Sequence, residues 1–199
     1  MAEHVVGSVE ELEEIYGQPG KASLIKVAGH MTPLYAKWIM ASRLCVVSTV
    51  GPEGTDGSPR GDDGPVVQIR DDKTLLLPDW RGNNRIDTLR NIVVDGRISL
   101  MFFVPGSNNV IRINGHAVVS VAPELLKRFA QRGREPRSVA VITIAEIYSQ
   151  CARALMRAKT WTSDDESGPL PTIGELLTEQ EASFDGKAYD KEWAPRAAK

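Results

Sequence analysis

A chain of 199 residues, 42% hydrophobic and 25% charged, is long enough to bury one substantial core and needs no second one. Its formal net charge of -2 supplies no basic field to recruit nucleic acid and no acidic excess of the kind that keeps chains disordered. The two cysteines, Cys45 and Cys151, lie in apolar surroundings without CxxC spacing, a pattern of structural thiols in a reducing compartment and not of a metal framework.

The N-terminus carries Glu3, Glu10, Glu11, Glu13 and Glu14 where a secretory signal would have a basic start and an apolar run. No apolar stretch reaches membrane-spanning length, so a soluble cytoplasmic protein is the expectation. Ser8 followed by Glu11 has capping-box spacing and predicts a helix to about Tyr16. Thr32-Pro33 opens a second helix with Leu34, Trp38 and Ile39 on one face. Together these form a helical lead-in over residues 1–43.

From residue 44 the pattern changes to β-rich runs at 44–50, 66–70, 74–78, 97–104, 110–121 and 138–149, separated by Gly, Pro, Asp and Asn. The connections at 51–54, 71–72 and 105–109 are hairpin-sized, which predicts an antiparallel sheet of six strands. Short helices are expected at 86–93 and 123–133. A sheet of this kind manages its edges best by closing, so the economical architecture is a small β-barrel with peripheral helices. Residues 151–158 read as a helix with Trp161 just beyond. The segment 162–199 is expected to hold a polar linker, a helix from Thr172 to about residue 184 with Glu175 completing a capping box, and a frayed tail.

The chemistry-bearing residues gather after the third run, in Leu77-Pro78-Asp79-Trp80-Arg81-Gly82-Asn83-Asn84-Arg85, with Ser58-Pro59-Arg60-Gly61-Asp62 shortly before. Gly82 permits close backbone approach, Asn83 and Asn84 offer amides and tolerate left-handed backbone, and Arg81 and Arg85 present guanidinium forks that match phosphate oxygens. Taken alone, a turn of this composition is more often a solvated loop. Elsewhere His4, His30 and His116 are scattered, and no GxSxG elbow, GxGxxG fingerprint or P-loop is present. Asp62 and Asp63 read as a hairpin turn at least as readily as a cation site, so no metal is assigned. The basic residues Lys127, Arg128, Arg132, Arg134 and Arg137 read as a solvated helix; no aromatics interleave with them, which leaves nucleic-acid binding a weak alternative.

The order of three motifs, PRGD at 59–62, GNNR at 82–85 and Arg112-Ile113-Asn114-Gly115-His116-Ala117, is specific, and from about Ala41 to Trp161 the chain resembles the pyridoxamine 5'-phosphate oxidase-like family of FMN-binding split barrels. That resemblance implies a six-stranded antiparallel split barrel over 44–161, a homodimer, and FMN in the subunit interface. It also implies a role in oxidoreduction with a small-molecule substrate or NAD(P)H, and no nucleic-acid or membrane partner. It makes the Pro78, Asp79, Trp80, Arg81, Asn83, Asn84 and Arg85 segment the holder of the FMN phosphate and ribityl chain, with Arg60 and Asp62 supporting from the neighbouring hairpin. Gln68 could pair with a flavin edge or equally be an exposed strand residue. Arg112 and Asn114 lie two apart and share one strand face, which the resemblance turns toward the partner's flavin. Arg157 and Trp161 match the subgroup's closing segment in outline, and Gln150 stands where relatives often carry His. The polar C-terminus lacks the strand that grips pyridoxal-type substrates in the true oxidase, which argues against pyridoxamine phosphate oxidation. A non-catalytic flavin-binding or sensing protein and a related barrel binding haem are the alternatives.

Overall fold

Alternating burial along most of the strands is what turns this sequence into a sheet with one apolar face. The computed structural model describes residues 4–131 and 133–197, the last four of these by backbone only. Two compact units divide at residue 161, Met1–Trp161 and Thr162–Lys199.

The first unit runs α1 (Val9–Tyr16), α2 (Lys21–Ile25), α3 (Pro33–Ile39), β1 (Leu44–Gly51), β2 (Gly54–Gly61), β3 (Gln68–Asp71), β4 (Thr74–Asp79), α4 (Asp87–Val94), β5 (Arg97–Phe103), β6 (Val110–Ser120), α5 (Pro123–Arg128), β7 (Ser138–Gln150) and α6 (Arg153–Arg157). All strand pairs are antiparallel, in the order β2-β1-β5-β6-β7-β4-β3. Cys45 and Val47 of β1, Ile98, Leu100 and Phe102 of β5, Ile111 and Ile113 of β6, and Ala140, Ile142, Ile144 and Ile147 of β7 meet in one core. Their period of two puts Val46, Ser48, Ser99, Met101, Arg112, Asn114, Glu146 and Tyr148 on the outer face.

The fold is mainly antiparallel β with peripheral helices, but it has seven strands where six were expected. The additional strand is β2, Gly-Thr-Asp-Gly-Ser-Pro-Arg-Gly, whose composition reads as a turn. It pairs with β1 alone, and an edge strand accepts Pro59 and glycines because only one side of its backbone is in the ladder. Helix bounds shift as well. α5 stops at Arg128 and α6 starts at Arg153, while α2 was not expected. Leu34 is 81% exposed, so the inward face of α3 is carried by Ile39 and partly by Trp38. Cys45 is buried as expected for a structural thiol; Cys151 is exposed.

Two close approaches fix the sheet's shape. At the bulge between Asn114 and Gly115, a Cβ on Gly115 would stand 2.0 Å from the Thr143 carbonyl oxygen. At the end of β1, a Cβ on Gly51 would stand 2.2 Å from Asn91 Oδ1, and Asn91 Nδ2 donates to Thr49 Oγ1 at 3.1 Å, which seats α4 against the hairpin.

In the second unit, Thr172 and Glu175 form the expected capping box on α7 (Ile173–Gln180). In place of a frayed tail there is α8 (Gly186–Ala197). Its cause is tertiary: the backbones of Gly174 and Gly186 approach too closely for any side chain, and the Gly174 N–H donates to Asp190 Oδ1 at 2.8 Å. Among the described residues no helix is long and apolar enough to cross a membrane.

Gly115→Ala is expected to cost about 2–3 kcal/mol, because the Thr143 strand must move; urea unfolding checks it. Burial pushes the Cys45 thiol from 9.0 up to about 12. The neutral thiol therefore stabilises the fold fully below about pH 9, and that contribution is lost as pH rises toward 12. The urea midpoint should fall between pH 9 and 10.5 more steeply than in Cys45→Ala, and Cys151 alone should react with a thiol reagent in the native state.

Candidate functional site

The predicted cradle grows from the end of β4, where Thr74 to Pro78 are buried and Asp79 and Trp80 are half-buried. Trp80 packs with Leu76, Phe129 and Val139, which fixes the start of the turn, while residues 81–85 stand in solvent. Asn84 sits at φ 62°, in the left-handed region that asparagine tolerates, and Asn83 Oδ1 accepts from the Arg85 N–H at 3.0 Å. The turn is thus shaped by its own amides.

Across from it lies β2. Arg60 Nη1 donates to Asp79 Oδ1 at 2.9 Å, with side-chain exposures of 27% and 19%, joining the free edge strand to β4. The cavity beneath this pair, between Val47, Leu77, Pro78, Leu89 and Ala140, is only about 10 Å³. The seam is therefore packed, and any ligand of the turn must lie outside it. Arg137, just before β7, donates from its backbone to the Asp79 carbonyl at 2.9 Å and from Nη1 to Asn84 Oδ1 at 2.6 Å. Arg85 Nε donates to Asp87 Oδ2 at 2.5 Å; that hydrogen bond holds the guanidinium further above its ordinary range, so it stays charged at any working pH. Arg81 has no protein partner among the described residues. Four guanidiniums thus stand around the turn against the carboxylates of Asp79 and Asp87 and, at longer range, Asp56, whose charge also acts on Arg85; the balance is still positive and suited to a phosphate.

The other predicted residues are distributed over three places. Asp62 accepts from the Asp63 N–H at 2.8 Å and from Gln131 Nε2 at 3.4 Å, and Gln68 Oε1 accepts from Arg128 Nε at 2.7 Å, so both contact the α5 region and neither contacts the turn. Arg112 and Asn114 lie on the outer sheet face: Asn114 Nδ2 donates to Glu146 Oε1 at 2.7 Å, and the Arg112 guanidinium carbon lies 5.4 Å from the Tyr148 ring centre. Asn114 also lines an open groove of about 580 Å³ with Ser48, Asp56, Arg97, Ser99 and His116. Trp161 Nε1 donates to the Ser107 carbonyl at 2.8 Å, and Arg157 is exposed on α6. Among the described residues no hydrogen bond or ion pair joins these two to the turn or to Arg112. Of the basic residues read as a solvated helix, Arg132 lies outside the described residues, whereas Arg128 and Arg137 are engaged as above.

Sequence reading placed Arg137 in a solvated basic helix and not at the turn, and missed Tyr148, Glu146 and the buried hydroxyl of Thr88, which donates to Asp56 Oδ2. Glu146 and Tyr148 had a usable signal, the spacing of two that Arg112 and Asn114 share. Arg137 had none, since its link to the turn spans 53 residues. Among the described residues no three His, Cys, Asp or Glu side chains converge to hold a metal ion.

Comparison with known proteins follows the same lines. A model of the family described as pyridoxamine 5'-phosphate oxidase matches residues 31–151. No curated protein matches the chain. Among solved structures, HupZ of Group A Streptococcus is similar with a TM-score of 0.50 at 22% identity, over 60% of this chain and 93% of that one. An FMN-binding protein from Syntrophomonas wolfei has a TM-score of 0.44 at 14% identity, over 73% of this chain and 98% of that one. The likeness to HupZ carries the fold.

Asp79→Ala leaves Arg60 without its acceptor in a half-buried seam and should cost about 1–3 kcal/mol in urea unfolding. A double-mutant cycle with Arg60→Ala should return a coupling of about 1 kcal/mol.

Proposed function

The chain belongs to the pyridoxamine 5'-phosphate oxidase family, and from that premise we propose that it is an FMN flavoprotein, an oxidoreductase that works as a homodimer on a small-molecule substrate. The observation that carries this reading is the cation balance around the 81–85 turn. Arg81, Arg85, Arg60 and Arg137 surround a solvent-open turn that has already spent its own carboxylates on internal pairs. FMN phosphate bears a charge of about -1.5 to -2, which two guanidiniums neutralise.

In this reading Arg81 and Arg85 hold the phosphate, Asn84 and Arg137 fix the backbone that presents it, and Trp80 anchors the turn to the barrel. Arg60 and Asp79 keep the two edges together so that these groups hold their spacing. When bound, FMN supplies the hydride and electron chemistry, and the protein supplies binding, orientation and local charge. The residues named need not act as acid or base. A charge-assisted hydrogen bond contributes roughly 1.5–3 kcal/mol, so several converging bonds retain the cofactor.

Purified protein incubated with FMN should take on the flavin spectrum, and bound flavin should bleach with NADH or NADPH under anaerobic conditions. Arg85→Ala should weaken FMN binding about tenfold or more with unchanged circular dichroism, since that side chain is 81% exposed and its loss disturbs no packing. A colourless protein with excess FMN would end the proposal.

A further inference from the structure

α1 is an amphipathic helix whose apolar stripe is left uncovered. Its eight residues, Val9–Tyr16, are too few to hold a helix in water without tertiary cover, yet none of them is buried. The apolar ones, Val9, Leu12, Ile15 and Tyr16, are 45% to 80% exposed and fall on one side of the helix. Helical geometry sets Glu10 and Glu13 along one flank of that stripe and Glu11 along the other. Gly17 at φ 69° ends the helix, and Gln18-Pro19-Gly20 sets it apart from α2.

The complement of this helix lies in the residues that follow it. Residues 15–52 contain Lys21, Lys26, Lys37 and Arg43 and no Asp or Glu. On α2, Lys21 shares a face with Leu24 and Ile25, and on α3 Lys37 shares one with Leu34; all five are exposed. Like α1, α2 buries none of its residues. Among the described residues neither the glutamates of α1 nor Lys21 and Lys37 make an ion pair. One face is thus apolar and acidic, the other apolar and basic, and neither is used within the chain. Among the described residues ten exposed large apolar side chains fall between Val5 and Leu34, a surface on the order of the ~800 Å² that each partner gives to a stable interface.

We propose that α1 of one copy docks on α2 and α3 of a second copy, whose own α1 docks in return. A chain that carries both halves of a complementary pair closes into a two-fold exchange. The apolar stripes are then buried, and the glutamates of each arm meet the lysines of the other copy. Any other partner would have to match an acidic and a basic face at once, whereas a second copy does so by symmetry. This interface belongs to the helical lead-in and is independent of the 81–85 turn and of the flavin reading.

Sedimentation velocity of the full-length chain across a concentration series tests it. Leu12→Asp should weaken self-association at least about tenfold. Glu10→Lys with Glu13→Lys should weaken it about fivefold, and so should Lys21→Glu with Lys37→Glu, because each sets like charge against like. An equimolar mixture of those two double variants should associate as the unaltered chain does, since every arm then meets its opposite charge. None of these side chains is buried, so circular dichroism and the urea midpoint should stay unchanged in every variant. The step lost is tetramer to dimer if the sheet face also pairs and dimer to monomer if it does not; either supports the exchange. A chain that stays monomeric, an association that Leu12→Asp leaves intact, or a mixture that associates no more tightly than its parts would overturn it.

Discussion

An antiparallel sheet that curls must do something with its two free edges, and in this protein that constraint governs the rest. β2 and β3 end the strand order, and what draws the curl together is the contact of Arg60 on β2 with Asp79 on β4, backed by hydrogen bonds from the Asp62 and Val66 N–H groups to the Arg43 and Ser42 carbonyls at 3.0 Å. The pair is half-buried over a packed seam, where neither charge is fully screened and neither is fully desolvated. Because Asp79 is also the last residue of β4, the same contact fixes where the chain leaves the barrel. The turn that follows inherits its position from the closure of the sheet.

Charge then separates the molecule's two regions of interest. Around the 81–85 turn, cations exceed acids and each acid is used: Asp79 by Arg60, Asp87 by Arg85, and Asp56, which also acts on Arg85, by the Thr88 hydroxyl. On the outer face, Arg112 and Lys26 both face the Tyr148 ring, and among the described residues neither makes an ion pair. They differ in surroundings. The turn is open to water and suited to a phosphate; the outer face sets its cations against an aromatic ring.

Much of this was legible in residues alone where the physics is local. The N-cap at Ser8, the capping box at Thr172, the turn chemistry of Asn83 and Asn84, and the period of two along β5, β6 and β7 depend on neighbours within a few positions, and sequence shows neighbours. β2 was not legible, since an edge strand needs no apolar alternation and tolerates the glycine and proline that usually mark loops. α8 was missed for a related reason: its start is held by contact with Gly174, twelve positions back, and not by propensity. In the site, the cations at 81 and 85 were visible as a motif, whereas Arg137 and Tyr148 entered only through folding.

The sequence by itself determined that this is a mainly antiparallel β protein of the pyridoxamine 5'-phosphate oxidase family, because strand periodicity and three ordered motifs survive without coordinates. The tertiary structure alone decided which charges meet. Arg60 reaches Asp79 across 19 residues, Arg137 reaches Asn84 across 53, and Lys26 and Arg112 converge on Tyr148. Electrostatic energy depends on separation in space, and separation in space is what a linear order of residues does not contain.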